Sequence, residues 1–422
     1  MHLFDLPAEL FKKCLEQMVF TVGLRQAVQL RLICKLFNEE IPHAMCNADV
    51  LEVEYRENGK LRLVPRWLLS EHVFRKTSAN DYGTKNLPAA IHLAAQFLVG
   101  KTAKDPEIAQ DDCIRKLSNA AACAMGTREI IHFLQSGSED DKLYLDRRST
   151  ETHIVAAAAY LGDLEYITRL AKRGEVDCSE NIYFGNPLRC AVTQGHYELV
   201  KLLLDLGADV NHGGAGQGQG STALQAAAAT GRGDIINLIL DKKYGGHTSG
   251  RDYDYAILQA ASAGHLSVVQ DLMKRVNMKP SQELRNCILL EGAAHGHEVV
   301  VNFALQIGAN PNTAESCNCF HIPITDAARH GYDNVVKILL ENGAIPKLGG
   351  RQDTISMAAR REHRKTVQVL LEYGIDLTHP YLSFLGSVPA KRGTLMFELH
   401  QLKQARIRIK EDLERQSGSD LL

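Results

Sequence analysis

The sequence predicts an all-α fold: a solenoid of about eight to nine helix-pair units with hairpin fingers, preceded by a small helical domain. A Gly-His landmark, or a near variant, recurs along the chain at spacings of 36, 33, 36, 33, 32, 35 and 31 residues. Each landmark follows an alanine-rich stretch and precedes an aliphatic run. Such self-similarity is typical of stacked helix pairs, which leave a long surface for binding other macromolecules. The anchors are Gly126, Gly162, Gly195, Gly231, Gly264, Gly296 and Gly331, with Glu362 in the last unit.

The composition indicates an intracellular protein without a membrane span. The formal net charge of -2 gives no overall signal for nucleic acid or membrane binding, and 6% aromatic residues argue against an extended base-stacking surface. Most of the ten cysteines stand alone, several in apolar stretches, which is typical of a reducing compartment. The first residues lack the features of a signal peptide, and no run approaches the length of a transmembrane helix. We therefore expect a cytoplasmic or nuclear location, or both.

The clearest unit spans residues 186–211 and reads NPLRCAVTQGH, then an aliphatic run, then GADVN. Proline suits the first turn of a helix, where its missing amide would lack a partner anyway. The glycine permits the left-handed conformation that ends the first helix, and the aliphatic run buries one face of the second. This pattern resembles the ankyrin repeat, and the resemblance covers about residues 117–377 in eight units. A degenerate unit near Ala89 extends the predicted array to residues 89–378.

Three positions depart from the ankyrin pattern. Gln225 and Leu258 replace the usual histidine, and Glu362 replaces the turn glycine of the last unit. Irregular terminal units are expected, because they cap the stack.

Residues 1–45 do not follow the repeat pattern. Leu6-Pro7 with Glu9 and Leu10, followed by Cys34-Lys35 and Phe37, resembles an F-box, although the distance between the two motifs is longer than usual and Phe37 stands where tryptophan is common. The resemblance implies a three-helix domain that docks on the Skp-type adaptor of a cullin ubiquitin ligase. The alternative is a small helical cap on the first repeat. The adaptor-binding residues that the resemblance implies are Leu6, Pro7, Leu10, Cys34 and Phe37.

Two further segments flank the array. Residues 46–88 are predicted to form a connector, with a hairpin around Asn58-Gly59, a short helix containing Trp67, and a loop at 76–88. Residues 379–422 are predicted to form a linker, one charged helix at 394–415 that covers the end of the array, and a disordered tail. The helix has too few heptads to predict a coiled coil.

Several fragments resemble active sites without the residues that those sites need. Gly100-Lys101-Thr102 lacks the first glycine of a phosphate-binding loop, and the glycine-dense stretch 213–220 falls where ankyrin arrays place a finger. Cys317 and Cys319 with His321 supply three soft ligands where a closed zinc site needs four. His196, His265 and His297 follow turn glycines, where we expect packing and backbone hydrogen bonds. The sequence therefore predicts a non-enzymatic protein with no cofactor and no metal.

The predicted binding surface consists of the two residues before each turn glycine, which face the concave side of an ankyrin stack, together with finger residues. Exposed aromatic residues and arginine are the usual energetic anchors of interfaces. Residues 347–415 carry 13 Lys/Arg against 8 Asp/Glu, which favours an acidic partner segment over DNA. The predicted contacts are Tyr160, Thr193, Gln194, His295, Arg329, His330, Arg360 and Arg361 on the concave face, and Tyr183, Phe184, Tyr253 and Phe320 on fingers.

The leading functional hypothesis is an adaptor: the array binds a protein client, and the F-box-like domain presents it to a cullin-type ubiquitin ligase. The rival is an ankyrin scaffold or inhibitor whose N-terminal helices act only as a cap. A third reading is a nucleic-acid-associated regulator that uses the basic carboxyl end.

Overall fold

A computed structural model of the chain describes residues 7–31, 34–47, 51, 64–78, 87–99, 106–135, 147–179, 181, 183–212, 222–276, 280–313, 322–347, 353–378 and 394–419. Within these ranges the chain forms helices and turns, with one isolated antiparallel bridge between Asn181 and Gly185. The chain divides into a first unit, residues 1–223 with 237–246, and a second unit, residues 224–236 with 247–422. None of the described helices is both long and apolar enough to cross a lipid bilayer.

The first unit begins with two packed helices, α1 (Ala8–Leu30) and α2 (Lys35–Asn47). Helix α1 runs through Gly23 without a break. A single internal glycine costs a helix only about 1 kcal/mol, which the rest of a long helix can offset. The described part of residues 1–47 thus holds two helices, whereas the F-box resemblance implies three.

The remaining helices of the first unit follow the predicted repeat. Four of them, α3, α5, α7 and α9, contact one another in succession, and the second helices α8 and α10 also touch. The predicted short helix containing Trp67 is confirmed as α3, which continues to Ser78 and so shortens the loop predicted at 76–88. The predicted hairpin around Asn58-Gly59 lies outside the described residues. The helices are α3 (Arg66–Ser78), α4 (Leu87–Val99), α5 (Pro106–Ala124), α6 (Thr127–Gln135), α7 (Arg147–Leu161), α8 (Leu164–Arg173), α9 (Pro187–Gln194) and α10 (Tyr197–Asp205).

The division between the units passes through the helix pair that flanks Gly231. In the second unit, α13, α15, α17 and α19 contact one another in succession, as do α16, α18 and α20. The prediction that each of the eight anchors separates two helices is confirmed. The helices are α11 (Ala223–Ala229), α12 (Gly233–Ile239), α13 (Arg251–Ser262), α14 (Leu266–Arg275), α15 (Gln282–His295), α16 (Glu298–Gln306), α17 (Pro323–His330), α18 (Asp333–Glu341), α19 (Thr354–Ala359), α20 (Arg364–Glu372) and α21 (Leu395–Ser419).

Each turn glycine from Gly162 to Gly331 adopts a left-handed backbone with φ between 72° and 80°. A ring from the following repeat covers several of them, so that a Cβ atom on Gly264 would lie 2.6 Å from His297 Nδ1. The His297 Nε2 atom also lies 2.8 Å from the carbonyl oxygen of Ser262, within hydrogen-bond distance. The structural role predicted for the histidines after the turn glycines is therefore confirmed where the ring packs on the preceding turn, as with His196, His265 and His297.

The last repeat ends differently. Glu362 has a φ of 62°, which makes it the single non-glycine residue with a positive φ among the described positions. Its carboxylate accepts hydrogen bonds from the backbone amide of Leu395 at 3.0 and 3.2 Å, at the start of α21. Arg364 donates to both carboxylate oxygens of Glu398 at 2.6 and 2.9 Å. These contacts hold α21 against the last repeat, and the helix continues to Ser419, into the stretch predicted to be disordered.

Candidate protein-binding surface

The residue immediately before the turn anchor is exposed in five of the eight repeats and half-buried in the other three, which include Met125. Gln194, Thr230, His295, His330 and Arg361 are all exposed at this position, and Leu161 and Ala263 are half-buried. The residue one step earlier is more covered: Tyr160 is buried, and Thr193 and Arg329 are half-buried, although Arg360 is exposed. The exposure of the predicted pair therefore differs from repeat to repeat: Arg360 and Arg361 are both exposed, whereas Tyr160 is buried and Leu161 is half-buried.

The first unit carries a pocket of about 580 Å³ across the successive helices α3, α5, α7 and α9. This volume is within the range of ordinary ligand pockets. On one wall, Trp67 is 37% exposed, and the guanidinium of Arg31 lies 3.9 Å from its ring centroid. The lining residues are Trp67, Ser70, Glu71, Asp112, Arg115, Lys116, Asn119, Tyr160, Leu161, Gln194 and His196.

Charged and polar groups in this pocket are fixed by contacts to one another. Glu71 accepts hydrogen bonds from Arg75 and from Arg115, each at 2.9 Å, and the Arg115 guanidinium lies 3.8 Å from the Phe74 ring centroid. The Asn119 amide donates to the Tyr160 hydroxyl at 3.0 Å. Burial raises the pKa of Tyr160 to about 12, so its phenol stays protonated at neutral pH. The lining is therefore pre-organised, with its cations and anions mutually paired.

The second unit presents basic and ring side chains at the same repeat position. Arg329 lies 3.3 Å from the buried carboxylate of Asp326, and the His295 imidazole lies 3.6 Å from the carboxylate of Glu291. Burial, together with the charges of Arg361 and Arg329, lowers the pKa of His330. This side of the unit is therefore a place where a nearby anion would be favoured.

Three predicted finger residues belong to the core, and their assignment to an exposed surface is corrected. Tyr183 and Phe184 are buried because the loop is closed by the Asn181–Gly185 bridge and by their own amides, which donate to Asn181 Oδ1 at 2.8 and 3.0 Å. Tyr253 lies in the first turn of α13, where its hydroxyl donates to the Leu272 carbonyl at 2.7 Å. Apolar ring area and a satisfied hydroxyl explain why these residues pack inward.

The remaining finger and metal-like segments lie outside the described residues. These are Phe320, the Cys317–Cys319–His321 loop and the glycine-dense stretch 213–220.

The predicted adaptor-binding residues also divide into exposed and buried ones. Pro7 and Leu10 are exposed, with Leu10 51% exposed, and Cys34 is half-buried. Phe37 is buried with its ring centroid 6.4 Å from that of Phe11, which corrects its assignment as a contact residue. Leu6 lies outside the described residues.

Sequence reasoning missed the α3 and α5 walls of the pocket. Trp67 and Glu71 lie in the connector helix α3, and Arg115 lies in α5 outside the two positions before Gly126 that the landmark marks. One available signal was that Trp67 is the single tryptophan of the chain.

A family model and two solved structures are similar to parts of this chain. The family model for ankyrin repeats in three copies matches residues 117–214, 155–248 and 289–380, which together exceed half of the chain. The crystal structure of the human ASB11 ankyrin repeat domain is similar at 24% identity and a TM-score of 0.42, covering 53% of this chain and 98% of that one. The ankyrin repeat domain of Bcl-3, described as a member of the IkappaB family, is similar at 20% identity and a TM-score of 0.36, covering 51% and 97%. No curated protein matches the chain. The chain belongs to the ankyrin repeat family.

Proposed function

We propose that this chain is a non-catalytic adaptor that holds a protein client at the pocket of its first unit. Ankyrin repeats point to a role in protein–protein interaction. One observation carries the finer proposal: Trp67, Tyr160 and Arg115, the three residue types most enriched at binding hot spots, converge on a single open pocket. Their side chains are already fixed by neighbouring contacts, so little conformational entropy is lost when a client binds.

The test is affinity purification with the intact chain and its Trp67→Ala variant, followed by a direct binding measurement on the captured client. Loss of the tryptophan ring is expected to weaken the client complex by more than about 2 kcal/mol, the usual threshold for a hot spot. Tyr197→Ala is the matched control, because Tyr197 is also 37% exposed and in the first unit but does not line the pocket. Equal effects of the two variants would show that the pocket does not hold the client.

The N-terminal helix pair supports a second activity, docking on a helical adaptor of the Skp type that links clients to a cullin ubiquitin ligase. The observation that favours it is exposed apolar surface on α1 and α2, where Leu10 is 51% and Phe20 is 53% exposed and Leu36 is exposed as well. The proposal requires these three side chains to form one patch, since a contiguous exposed apolar patch is typical of an interaction site. The rival is a cap, and burial of Ile41 and Met45 together with contact between α2 and α3 favours that reading.

Leu10→Glu distinguishes the two. If the pair docks an adaptor, this variant loses capture of a purified Skp-type protein while its melting temperature stays unchanged. Leu93→Glu is the control, because Leu93 is a helical leucine that is 45% exposed in the same unit. Absence of capture by the unmodified chain would leave only the cap.

A further inference from the structure

Basic and ring side chains form a row along the second unit. His295 ends α15, His330 ends α17, and Arg361 follows α19, and each immediately precedes its turn anchor. All three are exposed. Because α15, α17 and α19 contact one another in succession, the three side chains mark successive steps of one surface. We call these three residues the basic row.

The rings of the basic row are held in place before any ligand arrives. His295 stacks on His297 with ring centroids 6.4 Å apart and planes inclined by 13°. His330 stacks in the same way on Tyr332, at 5.9 Å and 18°, and Tyr332 in turn covers Gly296. Side chains that are already ordered lose little entropy on binding, which favours a specific contact over a diffuse one.

The charges around the row leave it able to accept an anion. The charged groups that face His330 are Arg361, Arg329, Asp326 and His295. Asp326 is buried and lies beside Arg329, so its charge is already partly balanced. Arg361 has no acidic side chain within ion-pair distance among the residues that the structure describes. The Glu291 carboxylate lies 3.6 Å from the His295 imidazole, so the positive potential of the row lies mainly at Arg361 and at His330, which both Arg329 and Arg361 face.

We infer that the basic row binds an acidic segment of a protein partner, with a carboxylate at every third residue. This inference rests on the proposed role as a protein-binding adaptor and names the chemistry that the second unit would recognise. Packed helices lie about 8–10 Å apart, which sets the spacing between successive steps of the row. A polyproline II segment has three residues per turn and rises about 3.1 Å per residue, so every third side chain lies on one side at about 9 Å. The spacing between successive side chains of the basic row thus matches the spacing between every third side chain of a polyproline II segment.

A peptide fits this row better than a nucleic acid does. Arg361 is the one arginine of the row and stays charged at any physiological pH, whereas burial and the neighbouring arginines lower the pKa of His330. Binding a phosphate backbone needs many cations in a continuous stripe. A few carboxylates facing two imidazoles and one guanidinium need no such stripe.

The experiment is fluorescence anisotropy with the full chain and a short labelled peptide that has glutamate at every third position and proline or alanine between. A second peptide carries glutamine at the same positions, and a third groups the same glutamates in one block. The periodic acidic peptide is expected to bind, and Arg361→Gln is expected to weaken it by about fivefold. Lys365→Gln is the matched control, because it removes an exposed charge from α20 of the same unit, and it should leave binding unchanged.

A pH series adds a second readout. A bound carboxylate favours the charged imidazole, so binding takes up protons and should tighten from about pH 7.5 to about pH 6. His330→Gln should reduce this tightening, while folding is checked by circular dichroism.

Four results would overturn the inference: no binding of the periodic acidic peptide, equal binding of the glutamine or block peptide, equal weakening by Lys365→Gln, or tighter binding of single-stranded DNA than of the peptide. Failure of the inference is distinct from failure of the proposed function. If client capture still depends on Trp67 but the acidic peptide does not bind, the adaptor role stands and only the basic row loses its assignment.

Discussion

At the scale of single residues, the fold depends on matched pairs formed by a turn glycine and a ring from the next repeat. The left-handed backbone alone requires glycine at these turns, because an added Cβ atom is strained there. The ring adds a second reason at some of them. Gly264 and Gly343 share a φ near 80°, but a Cβ on Gly264 would meet His297 while a Cβ on Gly343 would meet nothing within 4 Å.

These two glycines allow backbone strain to be separated from packing. We expect Gly343→Ala to lower the free energy of unfolding by about 1–2 kcal/mol, through its positive φ. Gly264→Ala should lower it further, since the His297 ring must move and its hydrogen bond to Ser262 is lost as well. Urea unfolding of both variants measures the difference. Equal losses would mean that the ring contributes nothing to the turn.

Glu362 combines strain with a specific contact. Glu362→Ala keeps the left-handed backbone and removes the carboxylate that accepts from the Leu395 amide. Glu362→Gly removes the same carboxylate but relieves the strain, so it should be more stable than the alanine variant by about 1 kcal/mol. Hydrogen exchange should show the Leu395 amide less protected in both variants. A fully protected amide in either one would contradict the role of the carboxylate.

At the scale of elements, periodicity predicts most of what the structure contains, and its failures have identifiable causes. The Gly-His landmark predicts the eight repeat turns correctly, because the end of a helix and its apolar face are determined by residues close together in the chain. Helix α1 continues through Gly23, because the cost of one internal glycine competes with the burial of Phe11, Leu15 and Val19 along one face. The inward direction of Tyr183 depends on a loop closed by Asn181, which no local pattern announces.

The docking of α21 is the element-scale feature that a substitution can test most directly. Leu399 is 3% exposed in this helix and Leu402 is 39% exposed. Leu399→Asp would place a charge in the apolar contact with the last repeat, so α21 should undock. Trypsin should then cleave readily after Lys403, which is buried in the docked helix. Leu402→Asp is the control, and it should leave Lys403 protected.

At the scale of the whole molecule, an array of repeats distributes its packing along the chain. Each repeat contacts only its neighbours, so a change at one place is felt locally. The candidate pocket shows why a site formed by several repeats is difficult to predict from the sequence. Gln194 could be found from the repeat, but Trp67 comes from a helix before the regular units and Arg115 from a part of α5 that the landmark does not mark, and both meet Gln194 through the stacking of α3, α5, α7 and α9.

Removal of residues 1–47 tests this locality. The deletion strips α2 from α3 and takes away Arg31, whose guanidinium lies over Trp67. We expect faster hydrogen exchange in α3 and α5, and unchanged exchange in α17 to α20, because nearest-neighbour coupling decays along a repeat array. Loss of protection in α17 to α20 would show that the chain folds as one cooperative body.

The pairing of five turn glycines, Gly162, Gly231, Gly264, Gly296 and Gly331, with a ring from the next repeat also constrains how such a chain can grow. A duplicated repeat carries both a ring and a turn glycine. Its ring packs on the glycine of the preceding repeat, and its glycine receives the ring of the following repeat. Tyr332 over Gly296 shows that a phenol serves as well as an imidazole. At Glu362 the glycine half is missing and the side chain holds α21 instead. A repeat can therefore be duplicated at a junction where a turn glycine meets a ring. At Glu362 there is no glycine to receive a ring, and the array ends there against α21.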